Sequence, residues 1–164
     1  ATGHTKIVEL LKNYQIKLNQ QLLQAAYKGD LTEMQKALAA GADINAQDEH
    51  GWTILHHAVA HDQKNIIKFL LAQKNIKINA QDTSGRTPLY LIAGSGNVEL
   101  VQTLINAGAN NQATKKNKTP LKLAEEKAKG PIPLQLAEEK ANIQQPLDYK
   151  KVEEIMTNKF GKLK

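Results

Sequence analysis

The stretch GWTILHHA at 51–58 lines up with GRTPLYLI at 85–92 and, more loosely, with NKTPLKLA at 117–124, at spacings of 34 and 32 residues. A second matching set alternates with the first: AAGADINAQD at 39–48, KNIKINAQD at 74–82 and NAGANNQATK at 106–115. Two signals that keep phase at a period of about 33 residues define an internal repeat, and a repeat of that length is one supersecondary unit rather than a domain.

Each unit reads as a turn, a short helix, a reversal, a second helix and a hairpin-like loop. In the clearest copy, Asp82 to Gly85 forms a turn, with glycine free to take positive φ. Thr87 and Pro88 then supply an N-cap and a first-turn proline. Leu89, Ile92 and Ala93 mark the inward stripe of the first helix, and Gly94-Ser95-Gly96 ends it. Val98, Val101, Leu104 and Ile105 mark the inward face of the second helix, which Gly108 stops. Two helices of this size cannot enclose a core, so each unit must stack its apolar face on its neighbours.

The turn, TPLH-like box, small residues, glycine and LLxxGAxxN ending resemble the ankyrin repeat, over about residues 20–129. The resemblance implies an all-α ankyrin-repeat solenoid of stacked helix-turn-helix units with hairpin-like loops. Complete units fall at 20–48, 49–82 and 83–115. In the first of these, Leu22, Ala25, Ala26, Leu31, Met34, Ala37 and Leu38 are expected to face inward. Upstream, LLKNYQIKLN at 10–19 mirrors LLAQKNIKIN at 70–79, so residues 1–19 read as the second helix and loop of a partial preceding repeat. The chain begins ATGH without methionine and is read as excised from a longer polypeptide. Residues 116–164 read as a divergent C-terminal capping unit. Its segment LKLAEEKAKGPIP at 121–133 is duplicated as LQLAEEKANIQQP at 134–146, an insertion centred on about 130–146. Leu147, Val152, Ile155 and Met156 would form the inner face of the last helix.

Composition narrows the function. The 164 residues are 41% apolar but hold only one Trp, four Tyr and two Phe, so aliphatic and alanine contacts must fill the core. Cysteine is absent, which excludes disulfides and thiolate metal sites and fits a cytoplasmic setting. No apolar run approaches the roughly 18 residues of a membrane span. The net charge of +6 is uneven: residues 1–114 carry ten basic and nine acidic groups, whereas 115–164 carry twelve lysines against seven acids. Arg86 is the one arginine, a poor endowment for reading phosphates and guanine edges, so a nucleic-acid partner is disfavoured.

Residues that could carry chemistry have simpler readings. His57 and His61 share a helix face at the spacing of zinc ligands, but Ala58 stands where a zincin needs its glutamate and no third ligand is identifiable. His56 occupies the histidine of the TPLH box, where the resemblance implies a structural hydrogen bond. Gly94-Ser95-Gly96 lacks the third glycine and downstream acid of a nucleotide fingerprint and reads as a reversal. Glu125, Glu126, Glu138 and Glu139 alternate with lysines as solvated faces. No nucleophile motif is recognisable, and neither an enzyme, a cofactor, a metal site nor a small-molecule substrate is expected.

What remains is binding. The resemblance implies a non-catalytic protein–protein interaction module, a scaffold, adaptor or inhibitor, whose concave face meets a partner through turn tips and the exposed ends of first helices. By position those are Tyr27, Lys28, Glu49, His50, Trp52, Ala60, His61, Thr83, Ser84, Arg86, Ser95, Lys118, Glu126 and Lys127. Trp52 leads the set, because tryptophan is enriched at interface hot spots. A monomer is expected, cytoplasmic, or in a host cytosol if the Lys, Asn, Gln and Ile-rich composition marks a bacterial effector. Two alternatives stand beside this reading: a Lys-rich C-terminal region that binds nucleic acid or an acidic membrane surface, and a targeting domain of a larger enzyme.

Overall fold

The computed structural model describes residues 2–112, 114–129 and 148–161, which form eight helices and no strand. The chain divides into two compact units, Ala1–Thr83 and Ser84–Lys164.

The first unit holds α1 (Thr2–Lys28), α2 (Leu31–Ala39), α3 (Ile54–Ala60) and α4 (Lys64–Leu71). α1 packs on α2 and α3, and α3 on α4. Leu22, Ala25, Ala26, Met34 and Ala37 are buried, joined by Ile54, Leu55, Ala58, Val59, Ile66, Ile67 and Leu70, while Leu31 and Leu38 are half-buried. Gly29 ends α1 at φ +76, with the amide of Asp30 returning to Ala25 O at 2.9 Å. The loop after each second helix is tied side chain to backbone. Asn45 donates from Nδ2 to Asn75 O and accepts at Oδ1 from Lys77 N, both at 2.8 Å. Gln47 Nε2 donates to Gly51 O and Gln81 O. These bonds satisfy backbone groups that extended loops without a ladder would leave bare.

One expectation is corrected. The loop read at the end of residues 1–19 does not form: α1 runs unbroken for 27 residues, through Asn19 to Lys28. No glycine or proline lies between Gly3 and Gly29, so nothing local stops the helix. Its last turns bury Leu18 and Leu22, but Ile7, Leu10, Leu11 and Tyr14 on the same face are more than half exposed. Tyr14, Leu18 and Gln21 form one wall of an open groove of about 380 Å³, whose other wall is Glu33, Lys36 and Ala37 of α2.

The second unit holds α5 (Pro88–Ala93), α6 (Val98–Asn106), α7 (Pro120–Lys129) and α8 (Tyr149–Phe160). α5 packs on α6 and α7, and α8 on α6 and α7. Leu89, Ile92, Ala93, Leu100, Val101, Leu104 and Ile105 are buried with Ala124, Val152 and Met156; Val98 and Ile155 are half-buried. Gly108, at φ +100, closes α6 as Ala109 N reaches back to Leu104 O at 2.9 Å. Asp148 caps α8 by accepting from Lys151 N at 2.9 Å, and its own amide donates to Gly96 O. Leu147 and the insertion read at 130–146 lie outside the described residues.

Candidate functional site

Asp48 organises the turn that leads into α3. Its Oδ1 accepts from the amides of His50 and Trp52 at 2.9 and 2.8 Å, and its Oδ2 lies 2.9 Å from His57 Nε2. Asp48 and Trp52 also pair through the backbone, and Gly51 takes φ +76 between them. Asn or Asp at the head of a turn does this because the short carboxylate mimics a backbone acceptor. Thr53 then caps α3. Its hydroxyl takes the His56 amide, while His56 Nδ1 lies 3.1 Å from the Thr53 amide and 2.9 Å from its hydroxyl, with both residues buried. His56 is therefore structural.

With Ile54, Leu55, His56, Ala58 and Val59 committed to the core, the next helical face carries His57, Ala60 and His61 outward. Around His57 the structure gathers side chains distant in sequence. Trp52 lies 5.1 Å from its ring centroid and Tyr27, at the end of α1, 6.2 Å. Tyr27 also stands edge-on to His61 at 5.0 Å. Because a carboxylate only accepts, the His57 ring donates to Asp48 from Nε2, while its Nδ1 is buried. Tyr27, Trp52 and His61 are thus brought together. His57, which the sequence offers only as half of a His pair that lacks a third zinc ligand, is their hub. The signal for it is spatial: its partners lie nine residues (Asp48) and thirty residues (Tyr27) away.

The other residues named from sequence occupy simpler places. Lys28 follows Tyr27 and is exposed; Glu49 and His50 form the exposed turn tip, 3.6 Å apart, in a geometry that contributes little in water. Thr83 is exposed, its amide bound to His50 O at 3.0 Å.

In the second unit Ser84 is exposed, with its carbonyl accepting from Lys115 N, and Arg86 is half-buried. Ser95 is spent on the reversal between α5 and α6: its hydroxyl donates to Ile92 O at 2.7 Å and accepts from Asn97 N. Gly94-Ser95-Gly96 is that reversal, with Gly96 at φ +75. Lys118 pairs with Glu126 at 2.9 Å, and the hydrogen bond and charge of that carboxylate raise the Lys118 ammonium above its ordinary pKa. Lys127 is exposed on α7. Among the described residues no three His, Asp or Glu side chains come together as a metal site, and no helix is long and apolar enough to cross a membrane.

Comparison with known proteins agrees with this architecture. A family model described as ankyrin repeats (3 copies) matches residues 1–82, 22–115 and 74–146. Diacylglycerol kinase zeta of Rattus norvegicus is 30% identical over 109 residues, which is 65% of this chain and 12% of that protein. The neurogenic locus Notch protein of Drosophila melanogaster is 41% identical over 75 residues, 46% of this chain and 3% of its own length. Ankyrin repeat and SOCS box protein 3 of Bos taurus is 30% identical over 100 residues, 59% of this chain and 19% of its own. The chain thus spans less than a fifth of each of these relatives. Repeated helix pairs, capped and closed at the same points and matched by the family model along most of their length, make this chain a member of the ankyrin-repeat family.

Proposed function

We propose that the chain is a non-catalytic protein-recognition module whose first unit reads a partner protein with Tyr27, Trp52, His57 and His61, as a scaffold, adaptor or inhibitor in the cytoplasm. Ankyrin repeats are in general protein–protein interaction modules. The observation that carries the assignment to these residues is their convergence: one half-buried tryptophan and one exposed tyrosine lean on the same imidazole, on residues that the core does not use. Aromatic side chains fixed in this way lose little entropy on docking, which is what a binding anchor requires.

The Lys-rich C-terminal region is a weaker candidate. Lys118 and Lys151 are each held by a glutamate at 2.9 Å, so part of the positive charge there is already answered within the chain. The test is affinity capture from lysate with the wild-type chain beside a Tyr27→Ala/Trp52→Ala variant of equal helical content by circular dichroism. A protein retained by the wild type and lost by the variant is the expected result. Equal retention by both overturns the assignment of the site.

A further inference from the structure

The aromatic cluster of the first unit has an electrostatic character that its rings alone do not convey. Tyr27 is 60% exposed and stands nearly perpendicular to both imidazoles, at 83° to His57 and 86° to His61, so its position is braced from two sides. Trp52 packs against the same His57 ring, its plane tilted by 56° with the centroids 5.1 Å apart. Asp48, about a quarter exposed, joins this frame through His57 Nε2 at 2.9 Å. The groups bonded to its carboxylate are two backbone amides and one imidazole N–H, which fix the carboxylate in place without cancelling its charge when the ring is neutral. Glu49 adds a second, fully solvated acid at the turn tip. The nearest lysine in sequence is Lys28, exposed and on a flexible stem that can swing into water.

Aromatic faces carry the negative end of a quadrupole, so they attract a cation and repel an anion, and a fixed carboxylate at the same place reinforces both preferences. An apolar anchor would gain from the rings but nothing from Asp48. Resting on the recognition reading above, we propose that Tyr27, Trp52 and Asp48, braced by His57 and His61, seat a cationic side chain, lysine or arginine, of the partner protein. The partner's contact segment is therefore basic. Its ammonium or guanidinium lies against the Tyr27 and Trp52 rings, and its aliphatic stem covers the imidazoles.

Trp52 is the only tryptophan in the chain, so tryptophan emission, excited selectively over the four tyrosines, reports this site. The probes are blocked peptides Gly-Lys-Gly and Gly-Arg-Gly, with norleucine in place of lysine as the uncharged control and glutamate as the anionic one. We expect saturable changes in Trp52 emission with the two cationic peptides at about tenfold lower concentration than with the norleucine peptide. The glutamate peptide should have no effect. Tyr27→Leu, which keeps apolar area but removes the ring, should weaken the lysine peptide by several-fold, and Tyr27→Phe should restore it. Norleucine acting as well as lysine, or no response to any probe, overturns the cation seat. Either result leaves the recognition reading standing if a Trp52→Ala variant still loses its captured protein; if that variant retains it, the recognition reading falls separately.

Discussion

The turn before α3 and the turn before α5 are built to one plan and differ at three positions, Glu49/Thr83, His50/Ser84 and Trp52/Arg86, none of them a glycine or a cap. Gly51 and Gly85 take φ of +76 and +78; Thr53 and Thr87 cap the helices that follow; between them stand Trp52 and Arg86. A Cβ on Gly51 would lie 2.8 Å from the backbone nitrogen of Thr83, and one on Gly85 2.7 Å from that of Lys115. The glycine is fixed by the neighbouring loop as well as by its own dihedral, whereas the next position holds tryptophan in one copy of the turn and arginine in the other. The framework can therefore repeat while the surface beside it changes, and the clearest way to break this comparison is at the glycine. Gly51→Ala adds a collision with backbone to the cost of a non-glycine residue at positive φ, about 3 kcal/mol together. Gly41→Ala, at φ +100 with open space around it, carries only the dihedral cost of about 1–2 kcal/mol. Urea unfolding should place Gly51→Ala well below Gly41→Ala; equal midpoints would mean that the loop contact yields freely.

A second difference lies inside the caps. In α3 the residue three after the cap is His56, fully buried, whose ring meets both the amide and the hydroxyl of Thr53. In α5 the same place is taken by half-buried Tyr90, where the Tyr90 amide donates to the Thr87 hydroxyl at 3.2 Å. His56→Leu should cost about 2 kcal/mol, because it leaves the Thr53 amide buried without its acceptor. Tyr90→Leu removes exposed ring area and should cost less than half as much. Chemical denaturation of the two variants checks the order, and a reversal would show that the His56 ring is held for its volume rather than for its nitrogen.

These framework features are the ones that sequence discloses. A glycine two residues before a capping threonine, and a glycine after an apolar helix, are local signals with local causes, so Gly51, Thr53, Thr87 and Gly108 could be read directly. The start of the chain misleads for the complementary reason. LLKNYQIKLN resembles LLAQKNIKIN, but the loop at 72–81 is pinned from outside itself, by Asn45 at Asn75 and Lys77 and by Gln47 at Gln81. Between Gly3 and Gly29 no glycine or proline interrupts the chain, and helix propensity decides. The site divides along the same line. Tyr27, Trp52 and His61 follow from their place in the repeat, but His57 acquires its role from a carboxylate and a phenol that only folding brings near.

The smallest effect should come from a half-exposed ion pair on the surface. Lys118 follows Asn117 at the position that Trp52 holds after Gly51, and Thr114 and Lys118 pair through the backbone as Asp48 and Trp52 do. The site of the side chain is thus the same while its chemistry is different. Its ion pair with Glu126 is about half exposed on both sides, and water screens it and competes for both groups. The raised Lys118 pKa gives the sign on the alkaline side: with the carboxylate ionised, the contribution of the ammonium is present at neutral pH and is lost as pH rises through that raised value, beyond the ordinary lysine range. Lys118→Met should therefore leave the urea midpoint at neutral pH indistinguishable from wild type, and raising salt should not separate the two. A clear loss of stability would make Lys118 part of the framework, and the interchange of tryptophan and arginine in the two earlier turns would then not extend to the corresponding place in the last one.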